Sequence, residues 1–224
     1  MSSMPIPANV IALPHENPEK VCEYVKSHGF APKIWRGFDN TGGKKEYGPG
    51  AEPHFPGKGY TPDTTKWALS TEHTYEVDNP GSGYRISNTL IGCLMSHWTL
   101  WGALDYLGQD EWYHVMEADI KFRDGWRARH DKAMEDVPRD WDMIYPGSCC
   151  ADHSTPIKGD VYKGSAMCTH WYMVRHTALK TLVETNQKAQ APIDIQLIME
   201  SHPHLNVYTI LPRLADQFNT DLHD

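Results

Sequence analysis

The sequence has no apolar run long enough to cross a membrane and no excess of positive charge. Its most apolar segment, residues 90–107, is interrupted by Ser96, His97 and Asp105, so we expect no membrane span. The formal net charge of −8 disfavours a protein that binds nucleic acid or anionic lipid through bulk electrostatics. The N-terminal residues show no basic region followed by an apolar stretch, so we expect no secretory signal.

Cysteine and histidine occur without the spacings that are typical of metal sites. The five cysteines are odd in number and include no C-x-x-C pair, so their spacing indicates neither a disulfide framework nor a zinc site. The thirteen histidines are scattered, without H-x-x-x-H or H-E-x-x-H spacing. A reducing cytoplasmic setting is the simplest prediction.

The length of 224 residues fits one domain, which we predict to span residues 1–224. A strand at 9–13, a helix at 18–29 and an extended segment at 31–38 predict an α/β fold with parallel strands. Residues 40–66 are rich in glycine and proline and predict a long loop. This loop is either a mobile lid or an insertion without a role.

The rest of the chain continues the alternation of helices and strands. We predict helices at 92–107 and 177–184, strands at 112–116, 141–145 and 206–211, an extended segment at 166–174, and a polar tail at 212–224.

Two carboxylates follow the predicted strand at 112–116. Glu117 and Asp119 are two positions apart, so in an extended chain their side chains point the same way. Such a pair suits Mg²⁺ or Mn²⁺, which take protein carboxylates and fill their other positions with water and phosphate oxygens. The alternative is two solvated surface acids.

Several segments, in this order, resemble glycosyltransferase family 25, the lipooligosaccharide and collagen galactosyltransferase-like group. Residues 91–101 (IGCLMSHWTLW) are similar to the family's Ile-Gly-Cys-x-x-Ser-His helix, and residues 116–120 (MEADI) to its Leu-Glu-Asp-Asp-Val motif. Weaker similarities lie at residues 10–13, 141–145, 193–194 and 212–221. Ala118 departs from the family pattern, since it stands where the family has the middle Asp.

The resemblance implies a GT-A fold, which is a Rossmann-like, mostly parallel sheet flanked by helices that binds a nucleotide-sugar at the carboxyl ends of its strands. It also implies Mn²⁺ or Mg²⁺ as cofactor, a UDP-sugar as donor, and a glycan or other hydroxyl-bearing polymer as acceptor. A bacterial or virus-infected host cytoplasm suits such an enzyme. Glu117, Asp119 and Gln217 are the implied metal ligands.

The inverting transfer usual in the family requires a base, and Asp194 is our candidate. Its alternative role is a helix N-cap, and Glu200 is a weaker candidate base. The resemblance further implies donor contacts; the candidates are Leu13, Arg36, Asp39, Ser96, His97 and Ala118. His97 is equally compatible with a buried core histidine, and Arg36 and Asp39 with surface charges.

Three other functions remain open from the sequence. A catalytically silent nucleotide- or sugar-binding module would keep the fold and explain the change at Ala118. A DNA-modifying glycosyltransferase is disfavoured by the acidic charge. A metal-dependent phosphate-ester hydrolase would need more ligands than the sequence offers.

Overall fold

The computed structural model describes residues 4–13, 15–38, 74–76, 83–85, 88–151, 155–187, 189 and 191–218. The predicted loop at 40–66 and Asp39 lie outside the described residues.

The described chain contains both helices and strands. In order they are β1 (Ile6–Ala12), α1 (Pro18–Ser27), β2 (Phe30–Arg36), β3 (Thr74–Glu76), β4 (Gly83–Arg85), α2 (Asn88–Leu107), β5 (Trp112–Glu117), β6 (Ile120–Phe122), α3 (Trp126–Asp136), β7 (Met143–Gly147), β8 (Thr155–Lys158), β9 (Val161–Lys163), β10 (Trp171–Arg175), α4 (His176–Thr185), α5 (Ile193–Gln196), a π-helical turn (Leu197–Ser201), a 3-10 turn (His202–His204), β11 (Val207–Ile210) and β12 (Ala215–Gln217). Runs of consecutive strands occur at β2–β4 and β7–β10.

Ten of these strands form one mixed sheet, in the order β2-β1-β5-β10-β7-β11-β9-β8, with β12 beside β6 and β7. β2, β1 and β5 run parallel, as do β7 and β11, but β10 runs antiparallel between β5 and β7. The α/β class is confirmed, whereas the prediction of a mostly parallel sheet is wrong. β10 is buried on both faces, so its apolar run is like that of a parallel strand and conceals its direction.

Helices cover both faces of this sheet. α2, α4 and α5 pack on one face, around Trp98, Trp101 and Leu182. α1 and α3 pack on the other, around Val25 and Trp126. The side chains of neighbouring residues in the central strands therefore point into opposite cores, one on each face of the sheet.

The local sequence explains where α1 begins. The side chain of Asn17 accepts a hydrogen bond from the backbone N–H of Lys20 at 3.3 Å, and Pro18 occupies the first turn, where its missing N–H costs nothing. Among the described helices, none combines the length and apolarity that a bilayer crossing requires.

The predicted polar tail at 212–224 is wrong in part, because Ala215–Gln217 forms β12. This strand is only three residues long and carries two polar side chains, so it lacks an apolar pattern. Its pairing with β6 brings Gln217 opposite Ile120.

Candidate active site

The candidate site lies where the carboxyl ends of β1, β5 and β7 meet the beginning of β10. Because β10 is antiparallel, its first residue, Trp171, pairs with Met116 of β5 and with Gly147 of β7. The residues that precede Trp171 therefore reach the same edge of the sheet as the residues that follow β5.

Glu117, the last residue of β5, is held by donors from two other segments. One carboxylate oxygen accepts hydrogen bonds from His97 Nε2 at 2.9 Å and from Thr169 Oγ1 at 2.6 Å. Strand alternation directs Glu117 to the same face as Val115, which is the face that α2 covers. This explains why His97, on α2, reaches it.

His97 ends a chain of buried polar groups that runs back into the core. The indole N–H of Trp101 donates to the hydroxyl oxygen of Tyr172 at 2.7 Å, and that hydroxyl lies 2.9 Å from His97 Nδ1. Because the indole N–H of Trp101 is the donor to the Tyr172 oxygen, the hydroxyl proton of Tyr172 can be donated to Nδ1 of His97. The Nε2–H group of His97 then donates to Glu117. All three side chains are essentially inaccessible to solvent, so the chain fixes the orientation of Glu117.

Asp119 and Gln217 complete the acidic part of the site. The side-chain amide nitrogen of Gln217 lies 3.2 Å from one carboxylate oxygen of Asp119 and 3.4 Å from the second oxygen of Glu117. The other carboxylate oxygen of Asp119 is buried, and no described group donates a hydrogen bond to it. The amide group of Gln217 thus stands between two carboxylates.

The two carboxyl groups have opposite pKa shifts. Burial raises the pKa of Glu117, but the hydrogen bonds from His97 and Thr169 outweigh it and leave this pKa below its ordinary value. Burial and the nearby charge of Glu117 raise the pKa of Asp119 to about 7. Glu117 is therefore the carboxylate that stays charged, and Asp119 the one that a neighbouring cation would deprotonate.

These residues fit a hard divalent cation by their donor atoms. Two carboxylates and an amide offer oxygen ligands, which Mg²⁺ and Mn²⁺ prefer. The buried Asp119 oxygen without a described donor adds an unused lone pair. The nitrogen and oxygen of an amide exchange places by a rotation of the group, which would turn the oxygen of Gln217 toward a cation. The role of these residues in metal binding stays a prediction.

Asp194 lies at the second position of α5. One carboxylate oxygen accepts from the backbone N–H of Ile195 at 2.8 Å and the other from that of Cys168 at 3.2 Å. The alternative N-cap role is wrong, because the helix begins at Ile193 and its N-cap residue is Pro192. Since Cys168 immediately precedes Thr169, Asp194 is tied to the segment that contacts Glu117.

The candidate donor-binding residues occupy several positions around this edge. The Ser96 hydroxyl donates to the carbonyl of Gly92 at 2.7 Å and accepts from the N–H of Phe38 at 2.8 Å, so it fastens the chain that follows β2. Leu13 follows β1, and its backbone N–H donates to Glu16 at 2.5 Å. Arg36 ends β2 with an exposed side chain, and Ala118 is half-buried beside the core. Their contacts with a donor stay predictions.

The sequence did not reveal two features of this edge. Thr169 was missed because a threonine before an apolar strand has no distinctive pattern. The structure also joins Cys149 and Cys168 in a disulfide, with Cα atoms 5.6 Å apart. The prediction that the cysteines form no disulfide is wrong. It could not be corrected from the sequence, because the two cysteines meet only where β7 and β10 lie side by side in the sheet.

The fold and the site together define an α/β protein with an oxygen-rich acidic site at the carboxyl edge of its sheet. Residues 58–218 match glycosyltransferase family 25 (LPS biosynthesis protein). The chain belongs to this family.

Curated relatives cover only part of the chain and are themselves much longer. It is 35% identical over 137 residues to the mouse (Mus musculus) "Inactive glycosyltransferase 25 family member 3", a stretch that is 56% of this chain and 23% of the relative. The human (Homo sapiens) protein of the same name is 28% identical over 137 residues, which are again 56% of this chain and 23% of the relative. A "Glycosyltransferase 25 family member" of Anopheles gambiae is 28% identical over 124 residues, 51% of this chain and 21% of the relative. The matched part of the chain thus spans about a quarter of the length of these relatives.

Proposed function

We propose that the protein is an enzyme that transfers a sugar from a nucleotide-sugar, with UDP as the nucleotide, to a hydroxyl group of a glycan or another polymer. The observation that carries the proposal is the pair of carboxylates, Glu117 and Asp119, that converge on the amide of Gln217 at the carboxyl edge of the sheet. Open α/β sheets bind nucleotides at this edge.

Glu117, Asp119 and Gln217 would hold Mn²⁺ or Mg²⁺. Such a cation, when bound, neutralises charge on the diphosphate of the donor. The chain's own contribution is orientation: Thr169 and His97 fix one oxygen of Glu117 and leave the other directed toward Gln217.

Asp194 would accept the proton of the acceptor hydroxyl as that oxygen attacks the anomeric carbon, with inversion of configuration. The backbone N–H groups of Ile195 and Cys168 orient the carboxylate of Asp194, and they can keep these hydrogen bonds while the proton is transferred.

A catalytically silent nucleotide-binding protein is the second candidate. Two observations favour it: the relatives from mouse and human are named inactive, and Ala118 interrupts the acidic motif. The retention of both outer acids and of Gln217 favours activity.

Thermal-shift measurements with UDP-, GDP-, CMP- and TMP-sugars, with and without Mn²⁺, followed by donor hydrolysis assays, test both candidates. We expect Mn²⁺-dependent stabilisation by UDP-sugars together with donor breakdown. Stabilisation without breakdown would favour the silent protein, and no response to any nucleotide would rule out both.

A further inference from the structure

A second cluster of metal-ligating side chains lies beside the acidic site. The sulfur atoms of Cys149 and Cys168 and a ring nitrogen of His170 all lie within 4.8 Å of one another. Cys149 follows β7, whereas Cys168 and His170 precede β10, so neighbouring strands bring them together. Cysteine sulfur and imidazole nitrogen are ligands that Zn²⁺ prefers over Mg²⁺ or Mn²⁺.

The hydrogen bonding of His170 leaves one buried ring nitrogen without a described partner. Its side chain is buried, with 1% of its surface exposed. Nε2 lies 3.2 Å from the carbonyl oxygen of Ala215, to which it donates. Nδ1 is also buried, and no described group forms a hydrogen bond with it. Metal-binding histidines commonly donate one ring N–H to a backbone carbonyl and present the other nitrogen to the metal.

We propose that Cys149, Cys168 and His170 form a redox-controlled zinc site. A dithiol reductant transfers two electrons and two protons to the Cys149–Cys168 disulfide, which breaks into two thiols as the reductant becomes a disulfide. Zn²⁺ then displaces the two thiol protons and bonds to both sulfurs and to Nδ1 of His170. A water molecule completes the four-coordinate shell, as in other sites with three protein ligands.

The backbone accommodates both states. The Cα atoms of the two cysteines are 5.6 Å apart. Two sulfurs on one tetrahedral zinc ion, each at about 2.3 Å, are separated by about 3.7 Å. Side-chain rotation alone covers this change, while the backbone hydrogen bonds between residues 149–150 and 167 stay in place.

Co²⁺ titration of the full chain tests the proposal, because thiolate-bound Co²⁺ has a charge-transfer band in the near ultraviolet. After treatment with a dithiol and its removal under argon, we expect one Co²⁺ per chain with this band, displaced by Zn²⁺. The untreated protein should not show the band.

Four variants separate the proposed ligands from their surroundings. C168S should lose the thiolate band, and C150S, which alters the exposed neighbour of Cys149, should keep it. H170Q retains a nitrogen donor near the position of Nε2 and lacks Nδ1, so we expect Co²⁺ affinity to fall by about tenfold or more. D119N should keep the band, which distinguishes this site from the acidic one.

Three results would overturn the proposal: no thiolate band from the reduced, folded chain at saturating Co²⁺, a band unchanged in C168S and H170Q, or a disulfide that resists the dithiol while the protein remains folded.

Discussion

Glu117 and Asp119 differ in what surrounds them although only one residue separates them. One oxygen of Glu117 accepts hydrogen bonds from His97 and Thr169 and a longer one from the Cys93 thiol, whereas Asp119 has a buried oxygen without a described donor. The family resemblance directed attention to these acids and to Gln217, which the structure brings together, and their role as metal ligands stays a prediction. It could not supply Thr169 or Tyr172, because their contacts depend on the direction of β10.

Replacement of Asp194 by Asn tests its role as the base. Since the amide cannot accept a proton, we expect kcat to fall by about 100-fold or more, whereas donor affinity changes little. The measurement is steady-state kinetics beside calorimetric titration with the nucleotide. Glu200→Gln is the matched control and should retain activity. If Glu200→Gln loses activity and Asp194→Asn retains it, Glu200 is the base instead.

Replacement of Tyr172 by Phe removes a hydroxyl on which two buried groups depend. The indole N–H of Trp101 and Nδ1 of His97 would lose their partner, which costs about 1–3 kcal/mol. For a chain of this size, each kcal/mol lowers Tm by about 2–4 °C.

Differential scanning fluorimetry measures this effect. Tyr113→Phe is the control, since the Tyr113 hydroxyl contacts His176 at 3.1 Å, at the other end of β5. If Tyr172→Phe and Tyr113→Phe lower Tm equally, the chain of buried polar groups contributes no more to stability than the contact between Tyr113 and His176.

At the scale of elements, apolar periodicity predicted α2 and β5 but not α3. The buried residues of α3 are Trp126, His130 and Ala133, at the four- and three-residue spacing of a helix. His130 obscured the pattern, because histidine counts as polar in a sequence. In the fold its ring stacks on Trp171, with centroids 5.8 Å apart, so it packs in the core although Nδ1 lies 3.2 Å from a carboxylate oxygen of Asp131.

Gly147, the last residue of β7, permits a close approach of β10. A Cβ atom at this position would lie 2.7 Å from Nε2 of His170 and 3.1 Å from Cβ of Trp171. We expect Gly147→Ala to destabilise the protein by about 1–3 kcal/mol, since the packed strand has little room to move. Chemical denaturation measures this change, and a free energy of unfolding equal to that of the wild type would contradict the packing described.

At the scale of the whole molecule, the site depends on the order of strands in the sheet, which local sequence patterns do not reveal. Glu117, Thr169 and Gln217 come from segments about fifty residues apart, and they meet because β10 lies between β5 and β7 and β12 returns to β6. The positions of β1, β2, β5, β7, β10 and β11 were predictable from apolar patterns, within about five residues, whereas the short strands β3, β4, β6, β8, β9 and β12 were not predicted. Strand order and direction were not predictable, because both faces of the central strands are buried.

Buried histidines should make the fold sensitive to mild acid. Burial lowers the pKa values of His114, His130 and His170, and it lowers that of His202 to about 4. The unfolded chain takes up these protons near pH 6.5, so this stability is complete above that pH and is lost as the pH falls toward 4. Asp119 opposes the trend, since its raised pKa favours folding as the pH falls below about 7.

We therefore expect Tm to fall between pH 6.5 and 4.5, with His202 contributing about 1–3 kcal/mol. The ring of His202 lies between the Tyr145 and Ser165 hydroxyls, at 3.0 and 2.9 Å. His202→Gln should flatten the pH dependence of Tm; a curve parallel to that of the wild type would refute this assignment.

The most direct test of the proposed function is the release of UDP from UDP-sugars by the wild-type chain, by Asp119→Asn and by Asp124→Asn, with and without Mn²⁺. Asp124 is an exposed acid near the site in sequence and serves as the matched control. We predict Mn²⁺-dependent release by the wild type and Asp124→Asn, and its loss in Asp119→Asn. Release that is independent of Mn²⁺ and unchanged in Asp119→Asn, or no release from any UDP-sugar, would contradict the account.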